Sequence, residues 1–558
     1  MVQAKSVLLA AAAALGGVPG AFAFAPAAPA AGLAASSGLR MAATGAPLGG
    51  ITEEAVPTSV PDKVSAANPL RVLVAGGGVG GLALANSLAK MPQVDVTILE
   101  RTESFKRFGG PIQLASNALR IIEEMDKPIY DQVMEKFTFT GDKENGIKDG
   151  IRDDWYAKFD LATPAEDRGM PYTGVIERPD LQDIFINALP EGVLINGDGV
   201  LGYEQTKEGT VKAIMQSGKI VEGDVLIGAD GIWSAVRASM RAEPPKGNGS
   251  GASYSGYTVF AGELAYDSFD NGQVGYKVYI GPGQYFVITD IGNGNYQWYA
   301  FLAREPDSAK FTPMPDGQSP YLQDIFEGWS KDIHHILKAT KEDEIQQRDL
   351  YDRPPSVLKS WTDGNVALLG DSIHAMMPNL GQGGCQALED AFVLEQELGS
   401  ISRRSDIGGK LLKYRGRRLI RSAAVQGLSR FASDIIIKGF DTPAKIVQTE
   451  GGGLKFENFN YAGIVTKMLQ PILPLFFVIQ FNFLYDGWRN DYKIDFKALL
   501  GFVTVGAAIL LAGGAFEEIG LGLSLLGLET LGLEEGVKDI DQEVVKEVGI
   551  LEQFFSTR

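Results

Sequence analysis

The chain has 558 residues, with 51 Lys+Arg against 69 Asp+Glu, a formal net charge of −18 at pH 7. That balance excludes a nucleic-acid binder, which needs a basic face to displace counterions from phosphates. A single cysteine, Cys385, excludes an intramolecular disulfide framework. With three histidines it also leaves too few ligands for zinc, haem or iron–sulfur chemistry, so no metal site is expected and any redox chemistry calls for an organic cofactor.

Residues 1–23 carry Lys5, an apolar run from Val7 to Leu15, and small residues at Ala21 and Ala23, the pattern of a signal peptide. Residues 24–67 follow as an Ala/Pro/Gly-rich stretch that, up to Gly50, holds Arg40 and no acid, as plastid transit peptides do. The junction Ala21-Phe22-Ala23-Phe24-Ala25-Pro26 resembles the bipartite presequence of algae with plastids of secondary origin. A plain signal peptide before a disordered linker is the alternative.

From residue 70 the pattern becomes a buried strand (71–75), a glycine turn, a helix-like run (82–89) and a second strand (94–99) ending on Glu100: a β-α-β unit. The turn satisfies G-x-G-x-x-G at Gly76, Gly78 and Gly81. Glycine there lets the backbone approach a pyrophosphate at a helix N-terminus, and the carboxylate of Glu100 accepts from ribose hydroxyls while repelling a 2′-phosphate. The site is therefore expected to take FAD or NAD rather than NADP. We assign 68–240 to the first part of this α/β domain.

Between Tyr254 and Phe301 the sequence alternates, with turns at Gly281-Pro282-Gly283 and Gly292-Asn293-Gly294, which predicts an antiparallel sheet inserted over 241–347. Residues 348–440 return to the first domain. A buried strand (366–369) leads into Gly370-Asp371, where the acid can accept from a ribose or ribityl hydroxyl. The turn from Pro378 through Gly381, Gly383 and Gly384 opens a helix near Cys385, whose positive end can face a flavin ring. Asp230-Gly231 forms a further glycine turn, with Arg237 able to reach phosphate or a neighbouring acid. His374 is expected as a hydrogen-bonded structural histidine and Cys385 as a buried filler.

Residues 441–558 read as a helical, partly hydrophobic tail with an acidic end. The run 499–516 is eighteen uncharged residues, about the minimum for a membrane span. The run 468–485 holds Pro471, Pro474, Gln480 and Asn482, which suits a kinked or in-plane membrane element better; for both runs a buried helix hairpin in a soluble tail is the alternative. Arg489, Lys493 and Lys497 before the second run, and Glu517 and Glu518 after it, place its N-terminal side on the stromal face.

The glycine turn, the segment 224–237 (DVLIGADGIWSAVR) and the segment 370–384 (GDSIHAMMPNLGQGG) together resemble, in that order, the signatures of single-component FAD-dependent hydroxylases and epoxidases. With Gly110 to Ala118, Tyr254-Ser255-Gly256-Tyr257, Gln297 to Phe301 and Tyr351-Asp352-Arg353, the chain from about residue 70 to 424 resembles the zeaxanthin epoxidase family. The resemblance implies an α/β fold: a Rossmann-like FAD-binding domain of glutathione-reductase type with an inserted mixed or antiparallel β-sheet substrate domain. It implies a plastid enzyme that takes FAD, molecular oxygen and NADPH or reduced ferredoxin and epoxidises xanthophyll end rings through a flavin 4a-hydroperoxide; the apolar tail would hold its active-site mouth against the thylakoid surface. The steps would be zeaxanthin to antheraxanthin to violaxanthin, or diatoxanthin to diadinoxanthin.

By the same resemblance Arg178 and Gln182 contact FAD, and Gln113 and Ser116 lie beside the flavin. No protein acid or base is assigned to catalysis. Tyr257, Phe260, Trp298, Tyr299 and Phe301 are candidates for a carotenoid slot, ordinary sheet core being the other reading. The phosphopeptide-binding module of plant members is replaced here by the apolar segments. A hydroxylase of a small soluble aromatic, or a catalytically idle, membrane-tethered flavoprotein with a structural role, are the competing functions.

Overall fold

The computed structural model describes residues 61–105, 110–265, 272–281, 283–307, 314–355, 357, 359–438, 445–448, 454–457 and 473–488. The presequence 1–23, the run 499–516 and the acidic end lie outside the described residues, as does most of 24–67. Residues 61–67, expected as linker, are tied to the body. Val64 is buried and donates its N–H to Ser402 O at 2.9 Å, and Asp62 accepts from Ser405 N at 2.8 Å. The packed body therefore includes residues ahead of 68.

The strands Leu70–Ala75 and Val94–Leu99 run parallel around the helix Val79–Leu88, and all their residues but Arg71, Asp95 and Thr97 are buried, as a sheet covered on both faces requires. They belong to a six-stranded sheet ordered Thr362–Asp363, Val366–Leu368, Val225–Gly228, Leu70–Ala75, Val94–Leu99, Leu194–Ile195. Its four central strands are parallel. Asp224, fully buried just before the central strand Val225–Gly228, is neutralised by Arg71 and Arg404. Helix Gly383–Gly399 packs on Val79–Leu88 and is crossed by the long helix Ile407–Lys438.

A second, seven-stranded sheet is ordered Gln346–Asp352, Ser253–Ala265, Asn295–Ala303, Gln284–Gly292, Val274–Gly281, Glu144–Asp149, Trp155–Lys158. Positive φ at Asn293 and Gly294 makes the tight hairpin between its central strands. This sheet differs from the expected 241–347 block. Two strands come from residues 144–158, and Val274–Gly281 pairs parallel to Glu144–Asp149, a partner that local alternation does not specify. Helices Gln318–Ile325 and Lys331–Ala339 cover one face of the sheet, and the other faces the first domain.

The C-terminal expectation is corrected in part. Within 468–485, residues Leu473–Tyr485 form a helix that packs against the first domain. Leu484, Tyr485 and Trp488 are buried in its core. Arg168 clamps Asp486 through two bonds of 2.7 and 2.8 Å, and Tyr485 Oη meets Thr173 Oγ1 at 2.9 Å. An uncharged run of this length serves as well for packing on protein as for lying in lipid, and only these partners decide. No helix among the described residues is long and apolar enough to cross a membrane.

Candidate functional site

At the C-terminal ends of the parallel strands lies a cleft of about 1060 Å³. It is lined by Gly76, Gly78, Gly81, Glu100, Arg178, Gln182, Asp230, Gly231, Gly370, Asp371, Gly383 and Gly384, so residues far apart in sequence form one surface. Open α/β sheets bind ligands at this end.

The glycines divide by what requires them. Gly76 sits at φ +112, and a Cβ there would lie 2.5 Å from Ala229 O. One on Gly81 would lie 2.3 Å from Gly76 O. Both are therefore demanded by the fold. At Gly78 the nearest atom to a Cβ would be 4.0 Å away, and at Gly383 nothing lies within 4 Å. The chain itself does not need glycine at those two positions, and both open onto the cleft at helix N-termini. This is the cradle a pyrophosphate and a flavin ring require, so the residues present fit an FAD.

Glu100 holds the glycine turn from within. Its Oε2 accepts from Gly77 N at 2.6 Å and its Oε1 from Thr102 N at 2.8 Å. Asp230 accepts from Ala235 N at 2.7 Å and Val236 N at 3.2 Å, capping helix Ala235–Arg241, and burial raises its pKa against those bonds. Asp371 is exposed on the cleft wall. Desolvation raises its pKa, and His374 and Arg178 offset only part of that. Arg178 and Gln182 stand one turn apart on helix Arg178–Asn187, hence on one face.

Other expected cofactor residues are placed elsewhere. Arg237 is fully buried and off the cleft wall. It donates to Glu243 at 2.8 Å, Ile232 O at 3.0 Å and Ser372 O at 2.8 Å, tying one glycine turn to the other. Ser116 is buried against Thr173, and Gln113 packs under Gly381, where a Cβ would lie 2.6 Å from its Cδ. Pro378 starts a short turn, Pro378–Leu380, next to Asn379, which accepts from Tyr285 Oη at 3.0 Å. Cys385 is buried two residues inside helix Gly383–Gly399, its thiol pushed up to about 12 by burial, consistent with a filler.

The five aromatic candidates do not form one slot. Side chains on a strand alternate between faces. Tyr257, Tyr299 and Phe301 therefore share the face toward Met377 and the first domain, while Phe260 and Trp298 point into the opposite core with Phe286 and Phe326. Trp298 Nε1 is spent there on Thr340 Oγ1 at 2.9 Å. Residues 298 and 299 cannot line the same wall, a correction that the strand period itself supplies.

Sequence reasoning missed a buried ionic network behind the cleft. Gly370 N (2.8 Å) and His374 Nε2 (2.7 Å) both meet Asp390 Oδ2, and Asp390 Oδ1 accepts from Arg418 Nε at 2.6 Å. Arg418 also pairs with Glu389, which Arg421 engages through two bonds. Arg421 then reaches the carbonyls of Phe483, Leu484 and Asp486 at 2.8 to 3.0 Å, capping the C-terminal helix. Burial alone would raise the pKa values of Glu389 and Asp390, yet the arginines, His374 and their hydrogen bonds hold both below the usual carboxylate range. Adjacent acids in the otherwise apolar run 387–394 (ALEDAFVL) were the available signal, because a buried carboxylate must be paired.

This fold and cleft define a dinucleotide-binding α/β protein with a sheet domain set over the cofactor end. The family described as FAD binding domain matches residues 69–427, and the chain belongs to it. It is 42% identical over 392 residues to the chloroplastic zeaxanthin epoxidase of Prunus armeniaca, covering 68% of this chain and 57% of that one. To its counterpart in Arabidopsis thaliana it is 43% identical over 367 residues, covering 64% and 53%. The chain thus spans somewhat more than half the length of these curated relatives. Among solved structures, Klebsiella pneumoniae HpxO complexed with FAD and uric acid superposes with TM-score 0.62 at 21% identity, over 75% of this chain and 97% of that one. A salicylate hydroxylase substrate complex gives 0.59 at 23%, over 76% and 98%. At such identity these two show the fold.

Proposed function

We propose that this chain is an FAD-dependent monooxygenase that epoxidises the end-ring double bond of a xanthophyll in a plastid. The reaction would run from zeaxanthin through antheraxanthin to violaxanthin, or from diatoxanthin to diadinoxanthin. The observation that carries the reading is the 42% identity to zeaxanthin epoxidase over 392 residues, beside an FAD-binding family match over residues 69–427 that takes in the cleft lining.

Bound FAD supplies oxygen activation, with electrons from NADPH or reduced ferredoxin. Overall, one alkene, one O2, two electrons and two protons give one epoxide and one water. The chain's own residues bind and orient. Gly76, Gly78 and Gly81 with the N-terminus of helix Val79–Leu88 would hold the pyrophosphate. Glu100 and Asp371 would accept from ribose and ribityl hydroxyls, Arg178, Gln182, Asp230 and Gly231 would flank the cofactor, and the N-terminus at Gly383 and Gly384 would face the flavin ring.

An electron-rich alkene accepts oxygen without a strong protein acid or base, so the remaining task is to exclude water. The sheet face of Tyr257, Tyr299 and Phe301 suits this. Burial pushes Tyr299 up to about 12, which keeps it neutral beside an apolar ring. Carotenoids dissolve only in lipid. The exposed Val478 on the docked C-terminal helix and the run 499–516 support delivery from the stromal side of a thylakoid surface. Zeaxanthin dispersed in galactolipid, supplied with the purified protein, FAD, oxygen and either donor, is expected to gain one oxygen with a blue-shifted spectrum. Flavin that is bound and reduced while zeaxanthin and diatoxanthin both stay unchanged overturns the reading.

A further inference from the structure

Strand Asn295–Ala303 turns Gln297, Tyr299 and Phe301 to one face, the one toward the first domain. Phe301 offers only hydrocarbon, but the other two bring polar atoms. Gln297 is buried, and its Nε2 is spent on Gly262 O at 2.8 Å and Trp298 O at 3.0 Å, which fixes the amide and leaves Oε1 as an acceptor. Tyr299 is half-buried and supplies a phenol hydroxyl. Among the described residues neither Gln297 Oε1 nor Tyr299 Oη has a hydrogen-bond partner, whereas Tyr285 on the same face is spent on Asn379. Both free atoms lie 2.6 Å from the point that a Cβ on Gly110 would occupy, so an acceptor and a donor converge there.

They converge at the flavin end of the cleft. Two residues after Gly110, Ile112 lines the cleft and lies against Gly384, where a Cβ would be 2.6 Å from Ile112 Cδ1. Burial raises the Tyr299 pKa, and Arg178 of the cleft wall, followed by Arg348, pulls it back by less, so the phenol keeps its proton and donates. A substrate ring held between the flavin end and this sheet face would meet both atoms. An unsubstituted hydrocarbon ring has no use for them. A hydroxylated ring does, because a hydroxyl both donates and accepts, and burying one unpaired costs about 1–3 kcal/mol.

We propose that Tyr299 and Gln297 read the ring hydroxyl of the xanthophyll, Tyr299 Oη donating to it and Gln297 Oε1 accepting from it, and so direct oxygen to hydroxylated end rings. The inference rests on xanthophyll epoxidation being the reaction, and it makes these two specificity residues. Neither takes part in oxygen transfer. The hydroxyl belongs to the same six-membered ring as the double bond, so pinning it also fixes the alkene relative to the flavin.

The test is a competition within one molecule. β-Cryptoxanthin, with one hydroxylated and one unsubstituted end ring, is dispersed in galactolipid and given to the full-length, FAD-loaded protein with oxygen and a donor. Mass fragmentation of the product tells which ring took the oxygen. We expect the wild type to favour the hydroxylated ring by about tenfold or more, and Tyr299→Phe to cut that ratio about tenfold. The ratio does not depend on how much protein is folded, and since Tyr299 Oη bonds to nothing in the chain the variant should melt as the wild type does. Gln297→Met, which keeps the length and loses the oxygen acceptor, is expected to lower the ratio as well. Equal use of the two rings by the wild type, or an unchanged ratio in Tyr299→Phe, overturns the proposal while epoxidation itself stands. Epoxidation of neither β-cryptoxanthin nor zeaxanthin is a distinct result, which overturns the epoxidase reading and the proposal with it.

Discussion

Gly78 and Gly81 lie three residues apart in one turn, yet they do different work. Alanine at 81 would drive its Cβ to 2.3 Å from Gly76 O, so Gly81→Ala is expected to lower the melting temperature of the apoprotein. Alanine at 78 meets only Ala229 O, at an unstrained 4.0 Å, and suits the local φ of −76. Gly78→Ala should therefore leave apoprotein melting unchanged while weakening FAD by about tenfold or more, read by flavin fluorescence quenching. Equal melting losses in both variants would mean that the cleft does not approach a cofactor at Gly78. Asp371 gives a prediction with a worked sign. Its folded pKa lies above the unfolded value, so the folded state binds its proton more tightly, and stability falls as pH rises from the unfolded pKa through the folded one. The side chain is exposed on the cleft, so solvent screens much of that penalty. Asp371→Asn removes it, and is expected to raise apoprotein stability while weakening FAD, the trade typical of a site residue.

Among the elements, helix Leu473–Tyr485 departs furthest from its expected role. Its last carbonyls are capped by Arg421, whose charge is matched by Glu389, and Arg168 fixes Asp486. Arg421→Ala strips the cap and leaves Glu389 with Arg418 alone, so a loss of about 3 kcal/mol is expected in denaturant unfolding. Truncation after residue 444 removes this helix and should destabilise the body. Truncation after 488 keeps it, and is expected to give a stable protein released from membranes; retention of that form in the membrane fraction would contradict a tether in 489–558. On the sheet, Trp298→Phe loses the bond to Thr340 on the face away from the cofactor cleft. It should cost about 1–3 kcal/mol of stability with turnover per folded molecule unchanged.

For the molecule as a whole, the His374–Asp390–Arg418–Glu389–Arg421 network joins the cofactor turn, the long crossing helix and the C-terminal helix. Glu389 and Asp390 titrate below their unfolded values. Their stabilisation is present above the unfolded pKa and is lost as pH falls through the folded one. Melting followed by tryptophan fluorescence should thus fall steeply below about pH 4. The C-terminal helix is expected to release in the same step, because Arg421 loses its buried counter-charge. Separate acid transitions for the helix and the body would show that the network does not couple them.

Much of this was legible in the chain. The β-α-β unit, the cofactor glycines, Glu100 and the Gly370-Asp371 turn were all readable, because their constraints are local: a positive φ, a close approach, an acid at a strand end. Which face Phe260 and Trp298 occupy was equally legible, since alternation along a strand is local too. Three features were not: the strands Glu144–Asp149 and Trp155–Lys158 in the second sheet, the burial of Arg237, and the docking of Leu473–Tyr485. Each depends on partners 50 or more residues away, such as Ser372 for Arg237 and Phe483 for Arg421. Residue types and spacings determined the class of cofactor and the parallel sheet that presents it. Only tertiary packing decided which charges were buried and which partners neutralised them, because a charge is paired by whatever the fold brings within about 4 Å, at any distance along the chain.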